Sequence, residues 1–338
     1  MNTNFRAIGF ILVVVAVLAS TPAWLGPYYL SIVTATLFFV ALASAWNIVG
    51  GMTGQFSLGH SLFVALGGIG VASLVALHGW NQWASLLTAA VGSAIVAIGI
   101  SLLMFRTVLP HLSFAMVTLA LAEVGLLLVI STDAVGAASG VVWARGDGLG
   151  LDSREASLWA ALGASVVVVA ISWLLLRSRL GYYFRATRDD EDAAAAIGVN
   201  LFRTKTIALV ISAVLTSLVA SLYANYLVFV DPYQFASPIL SISIILYAVV
   251  GGLGTVRGPV LGAGLLFPLA EILRGEFGEF AGLHLVVFGA VIVVVVLYAP
   301  TGLSGLIARF QPRRPPSQPV NARPQNKSSQ PTHTLEKE

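Results

Sequence analysis

Residues 83–105 read WASLLTAAVGSAIVAIGISLLMF, with not one Asp, Glu, Lys or Arg among them. As an α-helix this stretch would be about 35 Å long, enough to cross the ~30 Å hydrocarbon core of a bilayer. In water it would have no polar face to show. Similar runs recur at about 7–23, 30–49, 59–77, 112–131, 156–176, 205–228, 238–250, 259–273 and 283–299, giving ten predicted spans in all. Two of them are short and interrupted by Gly or Pro, as tilted, kinked or re-entrant segments are.

The bulk composition agrees. Of 338 residues, 57% are apolar and 10% charged, and mean hydropathy is +0.90. A soluble domain carries about 25% charged residues, so this chain cannot cover itself in water. The fold class is all-α, a polytopic transmembrane helix bundle of about ten spans, with eight to ten compatible with the pattern. The 33 glycines suit helices whose backbones approach closely. Absence of cysteine excludes disulfides and thiolate metal sites. The five histidines are scattered, so no metal site is expected. A net charge of +3 could suggest a nucleic-acid partner, but the positions of the charges argue for membrane topology instead.

With the N-terminus inside, 15 of the 18 Lys and Arg residues fall on the inner side, and Arg145, Arg154 and Arg274 on the outer. The positive-inside rule then places both termini in the cytoplasm. Arg6, the apolar run 8–19 and the small residues at 20–23 also fit a cleaved leader. Cleavage would remove one span and leave the other nine oriented as before. The transmembrane domain is read as 1–310. From 311 to 338 the chain is rich in Pro, Ser, Gln, Asn and Arg, a composition too polar to fold, and is expected to be a disordered cytoplasmic tail.

The longest polar stretch on the inner side spans 177–205. Within it Asp189, Asp190, Glu191 and Asp192 precede Ala193, Ala194 and two further alanines. Acidic residues complement the positive end of a helix dipole, and Gly198 and Asn200 suit its C-terminal cap. A short cytoplasmic helix is therefore predicted here. A solvated connector whose charges only set topology is the plainer reading. Residues 45–68, AWNIVGGMTGQFSLGHSLFVALGG, carry a glycine turn at Gly50, Gly51 and Gly54, with Ser57 and His60 at a span's mouth. A second turn, Gly251, Gly252, Gly254 and Gly258, echoes the first as V-G-G at 49–51 and 250–252, a candidate internal repeat. Both allow close helix packing, and His60 could simply hydrogen-bond a neighbouring helix. Glu123 is the ionisable residue placed nearest the middle of a long span. Such a carboxylate is costly and a functional candidate, or else a hydrogen-bond partner of Ser, Thr or Asn on an adjacent helix.

These segments resemble the LivM-like permeases of branched-chain amino-acid ATP-binding-cassette (ABC) importers. The family pattern N-x-x-x-G-x-x-G-x-x-S-L-G-H-x-x-F is matched by Asn47, Gly51, Gly54, Ser57, Leu58, Gly59, His60 and Phe63. The late signature is matched by Pro232, Phe235, Ser241, Ile242, the second glycine turn, Pro259, Gly262 and Ala263. Thr118, Leu119, Ala120 and Glu123 resemble a family T-L-A-x-x-E, and 299–306 the closing P-x-G-L-x-G-L. Residues 192–198 resemble the E-A-A-x-x-x-G coupling motif, with Asp for Glu. The similarity covers about 42–307, with 131–156 the poorest fit.

The resemblance implies a bacterial inner-membrane subunit and four kinds of company: a homologous second permease, two cytoplasmic ATPases, a periplasmic solute-binding protein and the bilayer. It implies ATPase coupling through 189–194 and Gly198, and translocation-path candidates Asn47, Ser57, His60, Thr118 and Glu123. The substrate would be a branched-chain amino acid or a related small polar solute. No G-x-x-x-x-G-K-[ST] loop is present, so ATP would be bound by the partner ATPases and this chain needs no cofactor of its own. No catalytic cluster points to an enzyme. A secondary transporter coupled through Glu123 is the competing class.

Overall fold

The computed structural model describes residues 13–106, 111–143, 151, 153–277, 282–298 and 302–309. The start of the first predicted span, Arg145 and the tail 311–338 lie outside them. Helix α1 covers Val13–Ala23. Pro27 then opens α2 (Pro27–Asn47) at a position where its missing N–H is not needed, and a π-helical turn over Ile48–Met52 ends it. After a non-helical stretch come α3 (His60–Ala76), α4 (Gln82–Met104) and α5 (His111–Ile130). Side-chain caps open several later helices: Ser153 accepts from Ala156 N before α6 (Arg154–Arg177), and Ser178 from Gly181 N before α7 (Arg179–Asp189). Next follow α8 (Glu191–Ala196), α9 (Leu201–Leu227), the single turn α10 (Pro232–Phe235) and α11 (Pro238–Gly251). Last come α12 (Arg257–Glu276), α13 (Leu283–Tyr298) and α14 (Gly302–Arg309).

Helix α2 is the hub. Its apolar window is 83% buried, against 33% for α4 and α6. Phe39 stacks on Phe267 of α12 at 4.4 Å and meets Tyr247 of α11 edge-on at 5.8 Å, while Phe38 packs on Tyr223 of α9 at 5.4 Å. Such aromatic pairs add roughly 0.5–1.5 kcal/mol beyond area burial. Outer helices turn apolar stripes away from the bundle: Leu87, Val91, Ile95 and Leu103 on α4 are all exposed. A surface of that kind suits acyl chains. A two-stranded antiparallel ribbon, β1 (Val141–Val142) with β2 (Phe229–Val230), ties the 131–156 loop to the end of α9. Trp143, just after β1 in this loop, is buried.

The described part of each of the ten apolar runs falls on a helix. Six of these are long and apolar enough to cross a membrane: Pro27–Met52, Gln82–Met104, Ser113–Ser131, Arg154–Arg177, Leu201–Leu227 and Pro232–Gly251. Helix α3 is shorter, at 17 residues, because the chain before it is non-helical. The 238–250 segment is short as expected, with 14 residues in α11. The 259–273 segment is longer than read. Helix α12 runs 20 residues straight through Pro268. The polar stretch 177–205 also holds more than one short helix, since α7 precedes α8 and buries Phe184 beneath the charges.

Candidate functional site

The C-terminal ends of α2 and α11 meet. Asn47, 1% exposed on the last turn of α2, accepts from Gly254 N at 3.0 Å and donates from Nδ2 to Thr255 O at 3.0 Å. The two glycine turns predicted separately thus form one junction, clipped by a single carboxamide. Gly51 carries no Cβ because that position is filled by Gly254 N and the Asn47 side chain, and the ring of Trp46 covers Gly50. Gly251 and Gly258 meet backbone to backbone where α11 gives way to α12, and Gly252 ends α11.

Helix α7 caps this junction. The Arg188 side chain lies against both Gly54 and Gly254 and pairs with Asp189 at 2.9 Å. Asp190 then N-caps α8, accepting from Ala193 N at 2.9 Å. Glu191 points back into the protein. Its Oε1 accepts from Gln55 Nε2 at 2.9 Å and its Oε2 from Lys205 Nζ at 2.6 Å. Of the remaining α8 residues, Ala194 is buried and Asp192 and Ala193 face out. Gly198, at φ 89°, ends the helix in the left-handed region, with Val199 N bonded to Ala194 O at 3.0 Å. Asn200 does not share in that cap. It opens α9 instead, accepting from Arg203 N at 2.9 Å.

Between α2 and α3 the chain is non-helical, and burial alternates with period two. Thr53, Gln55, Ser57 and Gly59 are buried, whereas Gly54, Phe56 and Leu58 are wholly or partly open. Trp46 Nε1 donates to Ser57 O at 2.8 Å, and Leu58 N to Thr118 Oγ1 at 3.0 Å. Thr118 therefore holds α5 to this segment and is buried within the chain. His60, fully buried, opens α3. Ser212 donates to Ala45 O at 2.7 Å, so its oxygen accepts from His60 Nε2–H at 2.8 Å, and Nδ1 faces the Ser57 hydroxyl at 3.3 Å. This chain of bonds joins α2, α3 and α9.

Glu123 stands apart. It is exposed on α5, on the face opposite Ala122 and Gly125. Among the described residues no hydrogen bond joins it to Ser, Thr or Asn, and the alternative of a link to a neighbouring helix finds no partner there. Sequence reasoning missed Gln55, Arg188, Lys205 and Ser212. Gln55 was visible between Gly54 and Phe56, but nothing local announced a partner 136 positions away.

The family model described as "Branched-chain amino acid transport system / permease component" matches residues 28–296, from α2 into α13. The chain belongs to this permease family. It is 28% identical over 326 residues to the high-affinity branched-chain amino acid transport system permease protein LivM of Escherichia coli K12, covering 86% of this chain and 74% of that protein. It is 26% identical over 155 residues to the permease protein LivH of the same organism, covering 46% and 48%. A third relative is the permease protein BraD of Pseudomonas aeruginosa, 30% identical over 141 residues, covering 41% and 44%. No solved structure matches the chain. The family is one of transport components rather than enzymes, and with its apolar helices this member is a multi-pass membrane protein. The matched region contains both glycine turns, α5 and α8.

Proposed function

We propose that this chain is a transmembrane subunit of an ABC importer, forming with a homologous permease the pathway for branched-chain amino acids or a related small polar solute. Two cytoplasmic ATPases dock beneath it, and a periplasmic binding protein delivers the solute above. The observation that carries this reading is α8: a short polar helix, exposed on one side and anchored on the other through Glu191 to the α2–α3 break. That is the arrangement needed for a push from a docked ATPase to reach the bundle. In this reading about ten helices span the bacterial inner membrane, with both termini in the cytoplasm, and ATP is bound only by the partner subunits. Similarity to both LivM and LivH supports a paired, heteromeric permease. Co-expression with its ATPases, second permease and binding protein tests the proposal. The reading requires co-purification of the ATPases and ATP-dependent uptake in proteoliposomes. Uptake driven by an ion gradient without ATPases would replace it with the secondary-transporter reading, whose structural support is the open position of Glu123.

A further inference from the structure

Segment 53–59 joins α2 to α3 as a largely buried, non-helical ribbon rather than a surface loop. Its lower end is fastened to α8 through Gln55 and Glu191, and its upper end to Trp46 and Thr118. Between these fastenings sits Phe56. Its ring makes a T-shaped contact with Trp46 at 5.4 Å and is 37% exposed. Among the described residues, no hydrogen bond holds the Phe56 backbone. Acyl chains cannot satisfy a bare backbone N–H and C=O, so irregular backbone at membrane depth is tolerated only inside protein or against water. The open side of the ribbon therefore faces a partner subunit or an aqueous path, not lipid. It lies close to the inner end, because Gly54 touches Arg188 and Gln55 reaches Glu191.

We infer that this ribbon is the moving part of an inner gate, with the Phe56 side chain as its plug and Gln55 as the positioning residue through which Glu191 and α8 move it. The inference rests on the permease reading and deepens it. Gly54, with φ 75°, gives the ribbon a hinge just below the plug. When α8 shifts, the Gln55 carboxamide follows Glu191, and Phe56, the next residue, swings relative to Trp46. The outward-facing state holds the ring across the inner mouth, and the inward-facing state withdraws it.

The chain contains no cysteine, so Phe56→Cys can be labelled uniquely on this subunit in the reconstituted importer. The expected result is a several-fold difference in labelling from the ATPase side between nucleotide-free and ATP–vanadate-trapped transporter. Gln55→Leu in that background should abolish the difference and uptake while ATP hydrolysis continues. Gln55→Lys keeps a donor facing Glu191 and should retain both. Phe56→Ala should raise ATP-independent solute leak. State-independent labelling of Phe56→Cys in a transporter that still imports would overturn the gate, and this comparison stands even where Gln55→Leu fails to assemble. An unchanged difference in an assembled Gln55→Leu importer would overturn the relay. If instead no ATPase associates with the chain, the permease reading fails first and the gate falls with it, an outcome separable by the pull-down alone.

Discussion

Asn47 Oδ1 accepts the backbone N–H of Gly254 at 3.0 Å, joining residues 207 positions apart. The same carboxamide donates to Thr255 O, so one buried side chain supplies both an acceptor and a donor to a turn that has given up helical bonding. Removing the amide strands both groups. Asn47→Leu is predicted to destabilise the protein by about 1–3 kcal/mol for each stranded group. Thermal unfolding in lipid nanodiscs measures this, and a melting curve unchanged from wild type would show that the clip contributes nothing.

The α11–α12 contact depends on missing side chains. A Cβ at Gly262 would run into Tyr247 O, a backbone atom that cannot step aside, whereas Gly264 has nothing within 4 Å. Gly262→Val should therefore lose most of the monodisperse protein on size-exclusion chromatography. Gly264→Ala should stay within about 0.5 kcal/mol of wild type, as surface changes generally do. Equal yields of the two variants would contradict the packing described for this pair of helices.

What could be read in the sequence was whatever local chemistry dictates. Ten apolar runs and the acidic start ahead of the alanines at 193–196 depend on neighbours a few positions away, and the described parts of these stretches are helical. The two glycine clusters were visible as clusters, but their meeting through Asn47 is a long-range fact that no spacing encodes. Helix α7 was hidden because its buried Phe184 and Gly181 sit among arginines and tyrosines, so a tertiary contact stabilises a helix that composition disguises. The non-helical ribbon at 53–59 was obscured for the opposite reason. Its period-two burial is only seven residues long and lies between glycines that suggested a simple loop.

Helix α8 must be rigid and correctly ended if it is to transmit force. Proline cannot adopt φ near 89°, so Gly198→Pro disrupts the helix end without touching the hydrophobic bundle. Asp192→Lys reverses an exposed charge in its first turn. Both variants should reach the membrane in normal amounts and lose uptake. Normal transport together with normal ATPase retention in both would rule out α8 as the coupling element.

The N-in, C-in arrangement predicts opposite sides for two arginines. Arg154 begins α6 and Arg185 lies on α7, beyond the far end of that helix. In the cysteine-free chain, Arg154→Cys should react with a membrane-impermeant thiol reagent applied from the periplasmic side, and Arg185→Cys should not. Labelling only at 185 would invert the topology.

Glu123 separates the two transport classes. It is exposed on α5 without a partner among the described residues, so replacing it strands no internal group. Glu123→Leu should accordingly leave the unfolding temperature of the isolated subunit unchanged, where a buried hydrogen-bonded carboxylate would cost about 1–3 kcal/mol. A carboxylate at this depth in an apolar span is retained at a cost, and that cost is lowest against water or a polar partner. Uptake should therefore fall in the order wild type, Glu123→Gln, Glu123→Leu, because Gln keeps a polar group on the open face and Leu does not. Since the proposed driving force is ATP, Glu123→Gln should retain much of its uptake, and wild-type uptake at fixed ATP should be insensitive to a protonophore. A proton-coupled carrier would do the reverse, since an amide cannot ionise. Collapse of uptake in Glu123→Gln, together with protonophore sensitivity at constant ATP, would assign the work of transport to this carboxylate and remove the need for α8.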